Sequence, residues 1–307
     1  MAEHTFWGRR AQSMAEMDEL SQRNMDLDAM KASIAAYEPR PTDVIISPAG
    51  KCGTTLLQQT FHTLRTRGDM DFDDISRVVP WIETAKKLEI DINAEQVAEP
   101  RGFKSHLSWD HAPKGARYIV SLRDPKDAFE SGYRFMEGWY FEPGTITYEE
   151  FFVPRREGRG RGLDHWAHLV SWWGQRNNPD VLLLSYDHMV QEPESTIRRI
   201  AQFCSIPLDE ELLALTLEHT SRAFMLQYKD RFDDAMMRAA SERDGGLPPG
   251  SDSAKIRAAG AGKRRDELPD AISREFDEIW LSDVAVHTGF DDFASLEQAL
   301  RQVGDNR

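Results

Sequence analysis

Asp43-Val44-Ile45-Ile46-Ser47 runs directly into Pro48-Ala49-Gly50-Lys51-Cys52-Gly53-Thr54-Thr55, and this junction decides how the chain folds. A short run rich in β-branched residues, closed by proline and glycine, reads as a buried strand. Beyond the loop, Leu56, Leu57, Phe61 and Leu64 recur at helical spacing, so the chain from Leu56 to Arg67 reads as a helix. Strand, loop and helix in that order open a nucleotide-binding α/β fold. A helix start leaves backbone N–H groups without partners, and glycine lets an anion approach them closely. Lys51, Cys52, Gly53, Thr54 and Thr55 therefore form a candidate phosphate loop. The Walker A order puts lysine after the glycine and Ser or Thr after the lysine. Here Lys51 precedes Gly53. Taken alone, the loop is also readable as a plain helix start with capping threonines.

The alternation continues outward from this unit. Gly102–His106 reads as a short strand or strand end, Arg117–Leu122 as a central strand and Val181–Ser185 as another. Helices are expected over Pro125–Trp139, with Pro125 at the first turn, and over Asp164–Arg176, Pro193–Phe203, Asp209–Glu218 and Asp270–Leu281. Strands alternating with helices imply an α/β fold, a single domain with a central, mostly parallel sheet flanked by helices. The expected boundaries are a helical extension over 1–40, the domain over 41–290 and a tail or helix over 291–307. Residues 229–262, rich in Gly, Asp, Ser, Ala and Arg, read as a long loop forming a lid over the active site.

Composition narrows the function. The 307 residues are 40% hydrophobic, enough for a substantial core, and carry a formal net charge of −14. That charge argues against a nucleic-acid partner, which needs a basic face. It leaves room for a locally held anion. With only two cysteines, Cys52 and Cys204, a disulfide framework is not expected, and a reducing, cytoplasmic setting fits. No apolar run reaches the ~18 residues of a membrane span, and Met1–Arg10 lacks a secretory apolar core. No Cys/His cluster has metal-ligand spacing, so no metal is expected. The N-terminal helix reads as a cap on the domain or an oligomer contact, which leaves a homodimer open.

Further residues carry chemistry. Arg123 follows the central strand at its C-terminal end, where open α/β sheets place ligands. Ser131 lies two turns into the next helix, and together they suit a phosphate; the plain alternative is an arginine pairing with surface carboxylates. His106, in Phe103-Lys104-Ser105-His106-Leu107, is by itself either structural or a base. Tyr186 follows the Val181–Ser185 strand.

Together these stretches resemble the cytosolic-type sulfotransferases, from about residue 43 to 285. The loop resembles that family's Pro-Lys-Ser-Gly-Thr-Thr-Trp, which holds the 5′-phosphosulfate of 3′-phosphoadenosine 5′-phosphosulfate (PAPS). Arg123-Asp124-Pro125-Lys126-Asp127, with Ser131 eight residues after the arginine, matches the family's 3′-phosphate motif. Phe103–Leu107 resembles the segment carrying the catalytic histidine. The resemblance implies His106 as base, aided by Lys51 and Lys104, with PAPS as donor and PAP as product. It implies adenosine contact for Tyr186, and a 3′-phosphate role for Arg257 and Gly262 in an altered C-terminal motif. Leu56 stands where the family has a tryptophan stacked on adenine. Val79-Pro80-Trp81-Ile82 resembles the acceptor-lining segment, and Trp81, Phe135 and Trp139 imply a small, apolar or aromatic hydroxyl acceptor. The alternative reading is a P-loop kinase of small molecules using ATP and magnesium.

Overall fold

The computed structural model describes residues 7–156, 165–250, 255–256 and 268–305. Its centre is a four-stranded sheet in the order β2-β1-β3-β4, with β1 at Val44–Ile46, β2 at Gly102–Lys104, β3 at Arg117–Leu122 and β4 at Val181–Ser185. Every pairing is parallel, with Ile46 opposite Lys104 on one side and Ile119 on the other. Parallel strands need covering on both faces, and the residues supply it with period two. Ile45, Phe103, Tyr118, Val120, Leu122, Val181 and Leu183 enter one core. Val44, Ile46, Ile119, Leu182 and Leu184 enter the other.

Helix Thr54–Thr66 covers the second face through Leu57, Phe61 and Leu64, alongside Ile197 and Ile200 of Pro193–Cys204. Burying side chains of this size contributes roughly 1.5–3 kcal/mol each. The approach is so close that a Cβ on Gly102 would lie 2.2 Å from the Phe61 ring, so β2 needs glycine there. The first face is covered by Pro125–Trp139, His165–Trp173 and Asp270–Ile279, with Trp166, Trp172, Trp173 and Phe276 buried. Asp124 caps Pro125–Trp139 by accepting from the Lys126 N–H at 2.9 Å, and Pro125 sits in its first turn.

One expectation changes. The segment read as a loop over 229–262 holds helix Ala235–Gly245, preceded by a 3₁₀ turn at Lys229–Phe232. Ala240, Ser241 and Gly245 are its buried residues, and such small side chains give no apolar stripe to read. The C-terminal stretch is helix Phe293–Asp305, with Leu296 and Leu300 in the core and Glu297 accepting from the Ser185 hydroxyl at the end of β4. Asp270–Ile279 also continues through a π-helical turn at Trp280–Ala285.

At the N-terminal ends of β1 and β2 lies a buried ion pair. Asp43 accepts from Arg101 Nε at 2.9 Å and Nη2 at 2.7 Å, from the Tyr37 hydroxyl at 2.8 Å and from the Arg40 N–H at 2.9 Å. Asp43→Ala should cost about 3–5 kcal/mol, because it strands a buried guanidinium. Denaturant unfolding measures this; a loss under 1 kcal/mol would contradict it.

Candidate active site

The order β2-β1-β3 sets the site. Parallel strands end on the same edge, so the segments after β1, β2 and β3 meet where open α/β sheets bind ligands. Lys51 follows β1, His106 follows β2 and Arg123 follows β3.

The loop is held in a left-handed conformation, with φ +66° at Lys51 and +95° at Gly53. A Cβ at Gly53 would lie 2.7 Å from the Tyr186 ring, so glycine is required on both counts. Side chains from β3 and from the residue after it fasten the loop: Arg123 Nη1 donates to the Lys51 carbonyl at 2.7 Å, and the Ser121 hydroxyl donates to the Cys52 carbonyl. Gly53 gives helix Thr54–Thr66 no side-chain cap, and the buried Thr54 hydroxyl has no protein partner. An uncapped helix start beside an orphaned hydroxyl fits an oxyanion. Thr55 follows, partly buried. Cys52 is different: burial pushes its thiol up to about 12, which makes it a packing residue rather than a reactive thiolate.

Arg123 also lies 4.4 Å from the centre of the Tyr186 ring, so Arg123, Tyr186 and the loop form one cluster. Ser131, partly buried, lies on helix Pro125–Trp139, where a Cβ on neighbouring Gly132 would lie 3.8 Å from Lys51 Cγ. Lys51 Nζ lies 4.2 Å from the Phe135 ring centre, and Phe135 meets buried Trp139 edge-on at 5.2 Å.

His106 faces the same edge. Its Nδ1 bonds the Pro48 carbonyl at 2.8 Å. A carbonyl only accepts, so Nδ1 carries the proton and Nε2 keeps its lone pair. Its backbone N–H donates to Glu83 Oε1 at 2.6 Å, and its ring meets Trp81 edge-on at 5.2 Å. Desolvation, then the Lys104 ammonium, push its pKa down to about 3. Lys104 is only 2% exposed, lies 4.0 Å from the Trp81 ring centre and pairs with Asp234 at 3.5 Å. Burial pulls its pKa down to about 8, against Asp234, which raises it.

The sequence-selected residues Lys51–Thr55, Trp81, Lys104, His106, Arg123, Phe135, Trp139 and Tyr186 thus gather along one edge of the sheet, with Ser131 on the helix that carries Phe135. Arg257 and Gly262 lie outside the described residues. Sequence reasoning missed Glu83, Asp234 and Lys255. Glu83 stands two residues past Trp81 and could have been suspected there; the other two sit in a polar segment with no local signal. Among the described residues, no group of three or more His, Cys, Asp or Glu is placed to hold a metal ion, and no helix is long and apolar enough to cross a membrane.

Among the described residues, desolvation disfavours charge on four histidines: it lowers His62 to about 4 and His106 and His168 to about 3, and it lowers His219 as well. Below the ordinary value near 6.5, the unfolded chain takes up protons that the folded chain refuses, so stability falls as pH falls. Melting temperature should drop between pH 7 and pH 5; a flat profile would refute this.

Comparison with known proteins identifies the architecture. The sulfotransferase domain family matches residues 41–287. Sulfotransferase 1C2 of Homo sapiens is 25% identical over 259 residues, covering 81% of this chain and 85% of its own. Sulfotransferase 2A1 of Homo sapiens is 31% identical over 199 residues, covering 62% and 68%. The fold is similar to that of retinol dehydratase, solved with retinol and PAP, at a TM-score of 0.69 and 19% identity, covering 92% of this chain and 97% of that one. With its α/β fold and a domain match spanning most of its length, this chain belongs to the sulfotransferase family of PAPS-dependent enzymes.

Proposed function

We propose that this protein transfers a sulfuryl group from PAPS to a hydroxyl of a small, apolar or aromatic acceptor, with His106 as the base. The observation that carries this reading is the tautomer of His106. Its Nδ1–H is committed to the Pro48 carbonyl, so the unprotonated Nε2 is the atom available to take a proton. PAPS supplies the activated sulfuryl group, whose bond to the 5′-phosphate breaks as the acceptor oxygen attacks.

The chain's residues then divide the work. Lys51 and the bare N–H groups around Gly53, Thr54 and Thr55 hold the 5′-phosphate and stabilise the charge that grows there. Such donors typically contribute about 3 kcal/mol each in the transition state. Arg123 and Ser131 hold the 3′-phosphate, Tyr186 packs on the adenosine part, and Arg257 and Gly262 add to that grip. Lys104 faces the sulfuryl oxygens. Trp81, Phe135 and Trp139 give the acceptor an apolar wall. The kinase alternative is not favoured, since the lysine stands on the wrong side of the glycine for Walker A and the family match is to sulfotransferases.

His106→Ala should lower kcat by about 10²–10⁴-fold while PAP binding, measured by calorimetry, stays intact. Retained turnover would remove His106 from the mechanism. Turnover of labelled PAPS against phenols, alcohols and glycolipids should give labelled sulfate esters of the acceptors with apolar or aromatic bodies; transfer only to strongly polar acceptors would overturn the acceptor class. His106 stays neutral above about 3, so kcat/KM should show no acid limb near 6.5. Lys104 loses its charge as pH rises through about 8, so kcat/KM should fall on that side.

A further inference from the structure

Asp234 occupies a position that the reaction chemistry does not by itself explain. It is 4% exposed, adopts φ +48° and precedes helix Ala235–Gly245. One carboxylate oxygen pairs with Lys104 Nζ at 3.5 Å, and the other with the ammonium of Lys255. Burial opposes its charge, yet the two lysines hold its carboxyl well below the usual range. Its backbone is fixed from below, because Asp74, which caps Ile75–Val78, also accepts from the Met236 N–H at 3.0 Å.

The surroundings of Lys104 make this pairing consequential. The ammonium is buried on β2 against Trp81, and the charged or titratable groups facing it are Asp234, Lys255, Asp74, Glu83 and His106. Lys255 opposes its charge; Asp234 is the strongest of the groups that favour it. A buried ammonium without a counterion loses its proton readily. A deprotonated lysine is no longer a cation for a sulfuryl group.

We propose that Asp234 is a positioning residue for sulfuryl transfer: its carboxylate keeps the Lys104 ammonium charged and fixed beside His106, and shares itself with Lys255 so that the buried triad carries one net positive charge toward the donor. This rests on the role of Lys104 proposed above. The triad also ties two distant parts of the chain together, since Lys104 and Asp234 are 130 residues apart.

The test uses Asp234→Asn and Lys255→Ala in the full chain. Asparagine keeps the shape and tolerates φ > 0, so the first variant removes charge alone. Lysine NMR titration, read through the resonance lost in Lys104→Arg, gives the Lys104 pKa whether or not the enzyme turns over. In Asp234→Asn that pKa should fall by about 1–3 units, and the alkaline limb of kcat/KM should move down with it. In Lys255→Ala both should move up, because a like charge is gone. A merely structural role would lower activity at every pH without moving the limb, and Asp234→Glu would not restore it. An unmoved Lys104 pKa in Asp234→Asn overturns the proposal, as does a moved pKa with an unmoved limb. Absence of transfer by the wild-type chain would strike the proposed function instead, and the titration would still decide the coupling.

Discussion

The parallel register of β2, β1 and β3 is the constraint on which the rest depends. Ile46 at the end of β1 lies opposite Lys104 of β2 and Ile119 of β3, so the three strands release the chain on one edge. Three segments far apart in sequence then meet within hydrogen-bond reach. What fastens them is of one kind: a side chain from a neighbouring strand or loop bonded to a main-chain carbonyl of the loop after β1. His106 bonds Pro48, Arg123 donates to Lys51 and Ser121 donates to Cys52. Each bond carries two consequences. It fixes the side chain that makes it, and it holds a loop whose backbone includes a non-glycine residue at positive φ.

The electrostatics follow from that geometry rather than from the composition. The chain is acidic overall, yet Lys51, Lys104, Arg123 and Lys255 converge on one edge. Burial weakens the cations it encloses and strengthens every interaction among them. His106 is kept neutral by the same desolvation and by the same Lys104 charge that suits the site to an anion. The Lys104 cation disfavours protonation of His106 beside it, while the Asp234 carboxylate favours charge on the lysine. The two aromatic contacts, Trp81 under Lys104 and Phe135 under Lys51, place ring faces beneath ammonium groups and so link the anion side of the site to its apolar side.

Close packing adds a second constraint. The sheet is thin, and the helix after the phosphate loop lies so near it that Gly102 meets the Phe61 ring directly. Gly53 faces the Tyr186 ring in the same way. Glycine is used at these points for approach, which packs the loop, the helix and the strand behind it closely together.

Much of this was legible in the sequence wherever local rules suffice. β3, β4 and helix Pro125–Trp139 have the boundaries their residues suggest, because apolar runs and an Asp-Pro helix start encode them locally. The phosphate loop, His106 and Arg123 were legible as motifs in order along the chain. Tertiary structure alone decided the rest. Helix Ala235–Gly245 buries only small residues, and the C-terminal helix gains its place from β4. Asp234 acquires meaning only beside Lys104, since a charge's effect depends on distance and burial, and neither is written in the spacing of residues.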